Sequence, residues 1–223
     1  MSLDKIDQKT ITFFQNEILD WFKKNGRSFP WRKENLGSYE LIIAEVLLQR
    51  TRAETVSNKF YNFLEQFSSW KEIDEKETKE LEEALRPFGL YRQKAKRLKM
   101  LADEMTDAEN NLPIVREELE EIPLIGQYIA SAIISYVHEK PAPLLDVNMA
   151  RVLERFFGPR ELADIRYDPY LQKLSKEIVD HSEHQKINWA ILDFASLICR
   201  KRNPKCQECM LNDECHWFNN IKN

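Results

Sequence analysis

The sequence is sparing with the residues that interrupt regular structure. Five Gly and nine Pro among 223 residues exclude a collagen-like repeat and a Gly/Pro-rich low-complexity chain. Cysteine is absent before position 199, so the chain lacks the dispersed cysteines with which a secreted scaffold staples its loops. No apolar run approaches the roughly 18 residues of a membrane span, and the N-terminal MSLDKIDQKT lacks the basic-then-apolar order of a signal peptide. The expectation is a cytoplasmic protein with no membrane segment. Neither charge dominates: 33 Lys and Arg against 37 Asp and Glu give a formal charge of −4, with an isoelectric point near 5.7. That balance argues against coating nucleic acid by bulk charge and leaves room for a local basic face. Also missing are period-two alternation, a repeat at solenoid period and a low-complexity linker.

What remains is a 43% hydrophobic chain, long enough for one large domain or two small ones sharing a core, patterned as helices. Ile11, Phe14, Ile18, Trp21 and Phe22 recur at helical spacing, with Gly26 placed to end that helix. After the loop SFPWRKENLG, Ser38 is a plausible N-cap for a helix through Leu41, Ile42, Val46 and Leu47. Val56, Phe60, Phe63, Leu64 and Phe67 mark the next. Further helices are predicted at 78–86, 91–106, 114–121, 127–138, 147–157, 169–181 and 185–199, so the fold class is all-α. Lys140-Pro-Ala-Pro-Leu-Leu-Asp146 is a non-helical bridge, because its prolines break helical hydrogen bonding.

The four cysteines, Cys199, Cys206, Cys209 and Cys215, are separated by six, two and five residues. Clustered in a cytosolic chain, they point to a metal site. Zinc sites usually pair two Cys-x-x-Cys knuckles, and here there is one; four thiolates also suit a [4Fe–4S] cluster. Beside them lie Arg200, Lys201, Arg202 and Lys205, in a loop whose geometry a metal would fix. A second basic run, Arg92, Lys94, Lys96, Arg97 and Lys99, is equally well a solvated helix face, and residues 72–83 are mostly acidic.

Leu119 to Ala130 has the pattern helix, tight turn at Pro123 to Gly126, helix. N–H groups at the start of the second helix carry the positive end of its dipole and suit a phosphate. Alone this is weak, because any pair of antiparallel helices needs such a turn.

Ile122-Pro-Leu-Ile-Gly126, then Leu145-Asp-Val-Asn-Met-Ala-Arg-Val152, then the Cys-x6-Cys-x2-Cys-x5-Cys run together resemble the helix-hairpin-helix-GPD superfamily of DNA glycosylases, over residues from about Phe29 to Cys215. Phe29-Pro-Trp-Arg32, Ala44-Glu-Val-Leu-Leu-Gln-Arg-Thr51 and Leu192-Asp-Phe-Ala-Ser-Leu-Ile-Cys199 are similar to the branch of A/G-specific adenine glycosylases and thymine-DNA mismatch glycosylases. The resemblance implies a [4Fe–4S] cluster at the four cysteines. It further implies a DNA-binding cleft flanked by two helical domains: a six-helix domain over 29–140 with the hairpin, and a discontinuous one from 1–28 and 141–223 with the cluster loop. It implies a monomer acting on duplex DNA that holds a mismatched or damaged base, nucleoid-associated when bound.

The same resemblance assigns roles. Asp146 matches the catalytic aspartate, which stabilises the oxocarbenium-like sugar and directs water to it; the position also fits an N-cap for helix 147–157. Glu45, among Ile42, Ile43, Val46, Leu47 and Leu48, matches the glutamate that protonates or orients the departing base, where burial would raise its pKa; otherwise it is a surface glutamate. Tyr128 takes the place of the lysine with which bifunctional members form a Schiff base, so it lines the pocket and lyase chemistry is not expected, unless it is simply a core aromatic. Asn148 would orient Asp146 or the lesion strand, or serve as a helix-start residue. Gln49 and Arg50 occupy the wedge loop that fills the gap left by an extruded base. Leu124, Gly126 and Gln127 form the hairpin's DNA contact, with Leu124 standing where the family has glycine. Arg200 and Lys201 meet phosphates. Asp193 matches a family residue that serves equally well for capping or a salt bridge.

Adenine glycosylases acting opposite 8-oxoguanine carry a further C-terminal domain, whereas here only eight residues follow Cys215. The expectation is removal of thymine or uracil opposite guanine, with adenine mispairs as the alternative and a non-catalytic damage-binding module as a second.

Overall fold

The computed structural model describes residues 7–33, 36–107 and 112–221, and among them every regular element is helical. The helices are α1 (Gln8–Asn25), α2 (Ser38–Leu48), α3 (Ala53–Gln66), α4 (Trp70–Glu75), α5 (Thr78–Leu85), α6 (Tyr91–Asp107), α7 (Arg116–Glu121), α8 (Gln127–Tyr136), α9 (Val147–Phe157), α10 (Pro169–Val179), α11 (His184–Leu197) and α12 (His216–Ile221). No described helix is long and apolar enough to cross a membrane. The chain separates into two compact units, Ser28–Glu139 and the combination of Met1–Arg27 with Lys140–Asn223.

In the discontinuous unit α1 packs on α11, α11 on α9, and α10 on both. The apolar stripe of α1, Ile11, Phe14 and Ile18, meets Leu153, Phe156, Leu171, Ile178, Ile191 and Phe194 in one core. Each such side chain contributes about 1.5–3 kcal/mol on burial. Polar side chains hold the helix ends. Buried Gln15 donates from Nε2 to the carbonyl of Ile178, 3.0 Å away. Asp168 caps α10 and accepts from the backbone N–H groups of Glu161, Leu162 and Leu171 at 2.7–2.8 Å. Gly26 ends α1 because of space: a Cβ there would lie 2.7 Å from the Phe22 ring and carbonyl.

In the continuous unit α4 and α5 pack on α6, α2 packs on α3 and α8, and α7 packs on α8. The core joins Ile42, Ile43, Leu47, Phe60, Phe63, Phe67, Leu81 and Leu98. Phe29 and Trp31 stack at 4.7 Å beside a 3-10 turn, Pro30–Arg32.

Several bounds differ from the sequence expectation. Gly37, not Ser38, is the N-cap of α2, and no side chain caps that helix. The helices expected at 127–138 and 185–199 each stop two residues early. In both, one carbonyl takes two N–H groups: Ile133 accepts from Val137 and His138, and Phe194 accepts from Ile198 and Cys199. The acidic run is broken into α4 and α5, with Ser69 capping α4 through the Glu72 N–H. The run 91–99 is not a single solvated face, since Lys94 is 2% exposed. Residues 34 and 35 of the loop SFPWRKENLG lie outside the described residues.

Candidate active site

The start of α9 carries an ordered polar arrangement. Asp146 is its N-cap, and Oδ1 accepts from the backbone N–H groups of Asn148 and Met149, each at 2.8 Å. Aspartate is chosen at such a position because its short carboxylate reaches the first unpaired N–H groups of the helix. The other oxygen, Oδ2, accepts from the side-chain amide of Asn148 at 2.6 Å. The bridge delivering Asp146 is itself fixed by Asn188 of α11, which is fully buried. Its Oδ1 accepts from Leu144 N–H and its Nδ2 donates to the Ala142 carbonyl, both at 2.9 Å.

From Asp146 the contacts run along α9 toward the cysteines. Arg151 donates from Nη1 to Asn148 Oδ1 at 3.1 Å, from Nη2 to the Ala195 carbonyl at 3.0 Å, and from Nε to the Cys199 carbonyl at 2.9 Å. Burial lowers the Arg151 pKa, while the charges of Cys199 and Asp146 oppose that shift. One helical turn on, Arg155 donates from Nη1 to the Arg200 carbonyl at 2.8 Å and approaches Cys199 Sγ at 3.4 Å. Its guanidinium also lies 4.6 Å from the Trp217 ring centre.

Cys199, Cys206, Cys209 and Cys215 are all free and half-buried. They interact electrostatically with one another: burial pushes the Cys209 thiol up to about 12, and Cys199, Cys215 and Cys206 push it the same way. Burial also raises Cys206 and Cys215. Among the described residues no three His, Cys, Asp or Glu side chains form a set that would hold a single metal ion. Arg200, Lys201 and Arg202 are exposed on the loop between them. Asp193 makes a buried ion pair, accepting from the Arg27 backbone N–H at 2.8 Å and from its guanidinium at 2.9 Å.

In the continuous unit, α7 and α8 form the expected hairpin, with Gly126 as the N-cap of α8. Leu124 adopts φ 75°, the left-handed region where glycine is at ease and an L side chain is strained by about 1–2 kcal/mol. The turn therefore keeps the shape of a glycine turn with a leucine in it, and the Leu124 side chain packs partly on the core. A Cβ on Gly126 would meet nothing within 4 Å, so the space beside that backbone is open. Arg116 ties the two helices together, donating to the Gln127 carbonyl at 3.3 Å and to Ser131 Oγ at 3.0 Å.

Tyr128, in the first turn of α8, is half-buried and packs partly on this core. Glu45, on α2, is 7% exposed, and it lines a shallow depression with Leu41, Ile42, Ile129, Ala132, Ile133, Tyr136 and Val137. The surface-glutamate alternative is thereby overturned. Gln49 is the C-cap of α2, and exposed Arg50 follows with φ 54°.

Sequence reasoning did not single out Arg116, Arg151, Arg155 or Asn188. Arg151 lies inside a quoted motif, but its carbonyl partners are 44 and 48 residues away, and no local pattern reveals such pairings.

Residues 43–177 match the family described as HhH-GPD superfamily base excision DNA repair protein. The thymine-DNA glycosylase of Aeropyrum pernix is 32% identical over 220 residues, spanning 96% of this chain and 98% of that protein. The thymine/uracil-DNA glycosylase of Pyrobaculum aerophilum is 30% identical over 93% of this chain and 92% of its own. Among solved structures, that of a thermostable thymine-DNA glycosylase superposes with a TM-score of 0.88 at 28% identity, over 95% of this chain and 98% of that one. With more than half of its length matched by the family and a full-length relative above 30% identity, the chain belongs to the HhH-GPD superfamily of base excision DNA repair proteins.

Proposed function

We propose that this protein is a monofunctional DNA glycosylase that hydrolyses the N-glycosidic bond of thymine or uracil mismatched with guanine in duplex DNA. The observation that carries the reading is the orientation of Asp146. Two backbone N–H groups and one amide hold its carboxylate in a single pose, as a group that must face developing charge requires.

As the glycosidic bond breaks, the sugar gains positive charge and the base leaves with negative charge. Asp146 stabilises the oxocarbenium-like sugar and directs a water molecule to its anomeric carbon, and Asn148 positions the carboxylate. Glu45, buried among apolar side chains, supplies or orients the proton for the departing base. Tyr128 stands against the flipped nucleotide and offers no amine, so the abasic product is released without strand cleavage. Gln49 and Arg50 fill the stack vacated by the flipped nucleotide. The open backbone at Gly126, with Leu124 and Gln127, meets a phosphate at the start of α8, and exposed Arg200 and Lys201 meet others. The relatives named thymine-DNA and thymine/uracil-DNA glycosylase support this base preference. On this reading the protein acts in the cytoplasm, on the nucleoid.

The four cysteines fit a [4Fe–4S] cluster. All four are free, soft sulfur donors in electrostatic range of one another, and four thiolates with a single Cys-x-x-Cys knuckle suit such a cluster better than a two-knuckle zinc site. When bound, the cluster supplies a cross-link for the loop 199–215, since hydrolysis transfers no electrons. This chain's Arg155 then braces the loop backbone that presents Arg200 and Lys201.

Single-turnover excision on labelled duplexes holding T·G, U·G, A·G and A·8-oxoguanine, with alkali added afterwards, tests the reading. Cutting of T·G and U·G only after alkali, lost in Asp146→Asn, is the expected result. Cutting confined to the adenine duplexes makes it an adenine glycosylase, and tight binding with no cutting makes it a damage-binding module.

A further inference from the structure

The loop bearing Gln49 and Arg50 rests on a charge hidden from solvent. Lys94, in the first turn of α6, is 2% exposed. Its ammonium donates to the Leu47 carbonyl at 2.8 Å, to the Phe88 carbonyl at 3.0 Å and to Thr51 Oγ1 at 3.0 Å. An ammonium has three protons to give, and these three acceptors use them all. Leu47 lies in the last turn of α2, where carbonyls lack helical partners and the dipole is negative. The Thr51 hydroxyl in turn donates a hydrogen bond to the Phe88 carbonyl. Leu47, Thr51, Phe88 and Lys94 thus meet at one point.

The chain on either side is conformationally costly. Arg50 (φ 54°), Gly89 (φ 65°) and Leu90 (φ 49°) all occupy the left-handed region, which non-glycine residues keep only when their surroundings dictate it. Burying a charge here is also costly, and burial pulls the Lys94 pKa down to about 8. An apolar side chain would fill the same space without desolvating an ion. What the ammonium adds is direction: it fixes two carbonyls and a hydroxyl, and through them the shape of an exposed loop.

We infer that Lys94 is a positioning residue for base extrusion, acting through Thr51 and the Leu47 and Phe88 carbonyls to hold the loop of Gln49 and Arg50 in the shape that fills the opened base stack. The inference rests on the glycosylase reading given to Gln49 and Arg50.

The test uses the full chain and a T·G duplex with 2-aminopurine beside the thymine, whose fluorescence rises on unstacking. Lys94→Met and Thr51→Val are compared with wild type for fluorescence rise, single-turnover excision, and affinity for a fully matched duplex, from which no base is extruded. Loss of loop positioning reduces the fluorescence rise and slows excision by about 10- to 100-fold, as misplacements of about an ångström do, while affinity for the matched duplex stays within about twofold. A purely structural role would lower that affinity together with the rate, and this outcome overturns the proposal. So does a variant with wild-type fluorescence and rate. If Lys94→Met does not fold, Thr51→Val decides alone, because it keeps the volume and removes only the hydroxyl. A wild type that excises no base defeats the glycosylase reading and this inference with it, whereas an active wild type matched by both variants defeats only this inference.

Discussion

Asn148 stands between a carboxylate and a guanidinium: its amide nitrogen donates to Asp146 Oδ2 at 2.6 Å, and its amide oxygen accepts from Arg151 at 3.1 Å. The first bond fixes the rotation of the Asp146 carboxylate, and the second fixes which end of the amide is turned to Asp146. Through Arg151 and the Cys199 carbonyl, the same arrangement reaches the start of the cysteine loop.

Replacing Asn148 by Ala removes the bond to Oδ2 and leaves both backbone bonds to Oδ1 in place. Single-turnover excision should fall about 100-fold, the scale of one lost oriented donor, with the melting temperature nearly unchanged. A rate within about threefold of wild type would show that the cap alone orients the carboxylate.

Asp146→Asn separates the two uses of that side chain. Asparagine caps a helix about as well as aspartate, so thermal unfolding should stay close to wild type, whereas Asp146→Ala should cost about 1 kcal/mol. Both should lose excision, because neither offers a negative charge to the sugar. Full activity in Asp146→Asn would remove Asp146 from the chemistry.

Cys206→Ser should lose iron and duplex affinity together, because the loop that presents Arg200 and Lys201 is then no longer cross-linked. Iron content and visible absorbance, read beside binding at several salt concentrations, check this. A soluble, iron-free variant that binds DNA normally would refute it.

Leu124→Gly relieves a strained φ and gives up the partial packing of the leucine side chain. The two terms are each about 1 kcal/mol, so stability should change little. Duplex affinity should rise with an unchanged salt slope, since backbone approach improves and no charge is added. Weaker binding would show that the Leu124 side chain itself contacts DNA.

Asp168 provides the pH test. Burial alone would raise its pKa, but three backbone N–H groups more than reverse this and lower it. Its contribution is therefore complete above the unfolded carboxylate value of about 4 and is lost as pH falls through the lower folded value. Asp168→Asn, which turns an amide toward those donors, should be destabilised by about 2 kcal/mol at neutral pH. The gap to wild type should close in acid unfolding below about pH 4. A gap that does not change with pH would contradict it.

By itself, the sequence determined the local structure and the chemical inventory. Helix 147–157 was legible to the residue because Asp146 caps it and Gly158 ends it, both signals lying within the chain's immediate neighbourhood. The hairpin was legible for the same reason, and Leu124 at a glycine position through the resemblance of Ile122–Gly126 to the family's motif. The tertiary structure decided what depends on groups far apart in the chain. That Lys94 is buried while Lys96 and Arg97 are exposed follows from where α2 and the 3-10 turn Arg86–Phe88 leave unpaired carbonyls. That Arg151 and Arg155 brace the cysteine loop follows from α9 packing on α11 and α12. Helix signals act over three or four residues, whereas a buried polar side chain takes its partners from whichever backbone ends the packing brings to it.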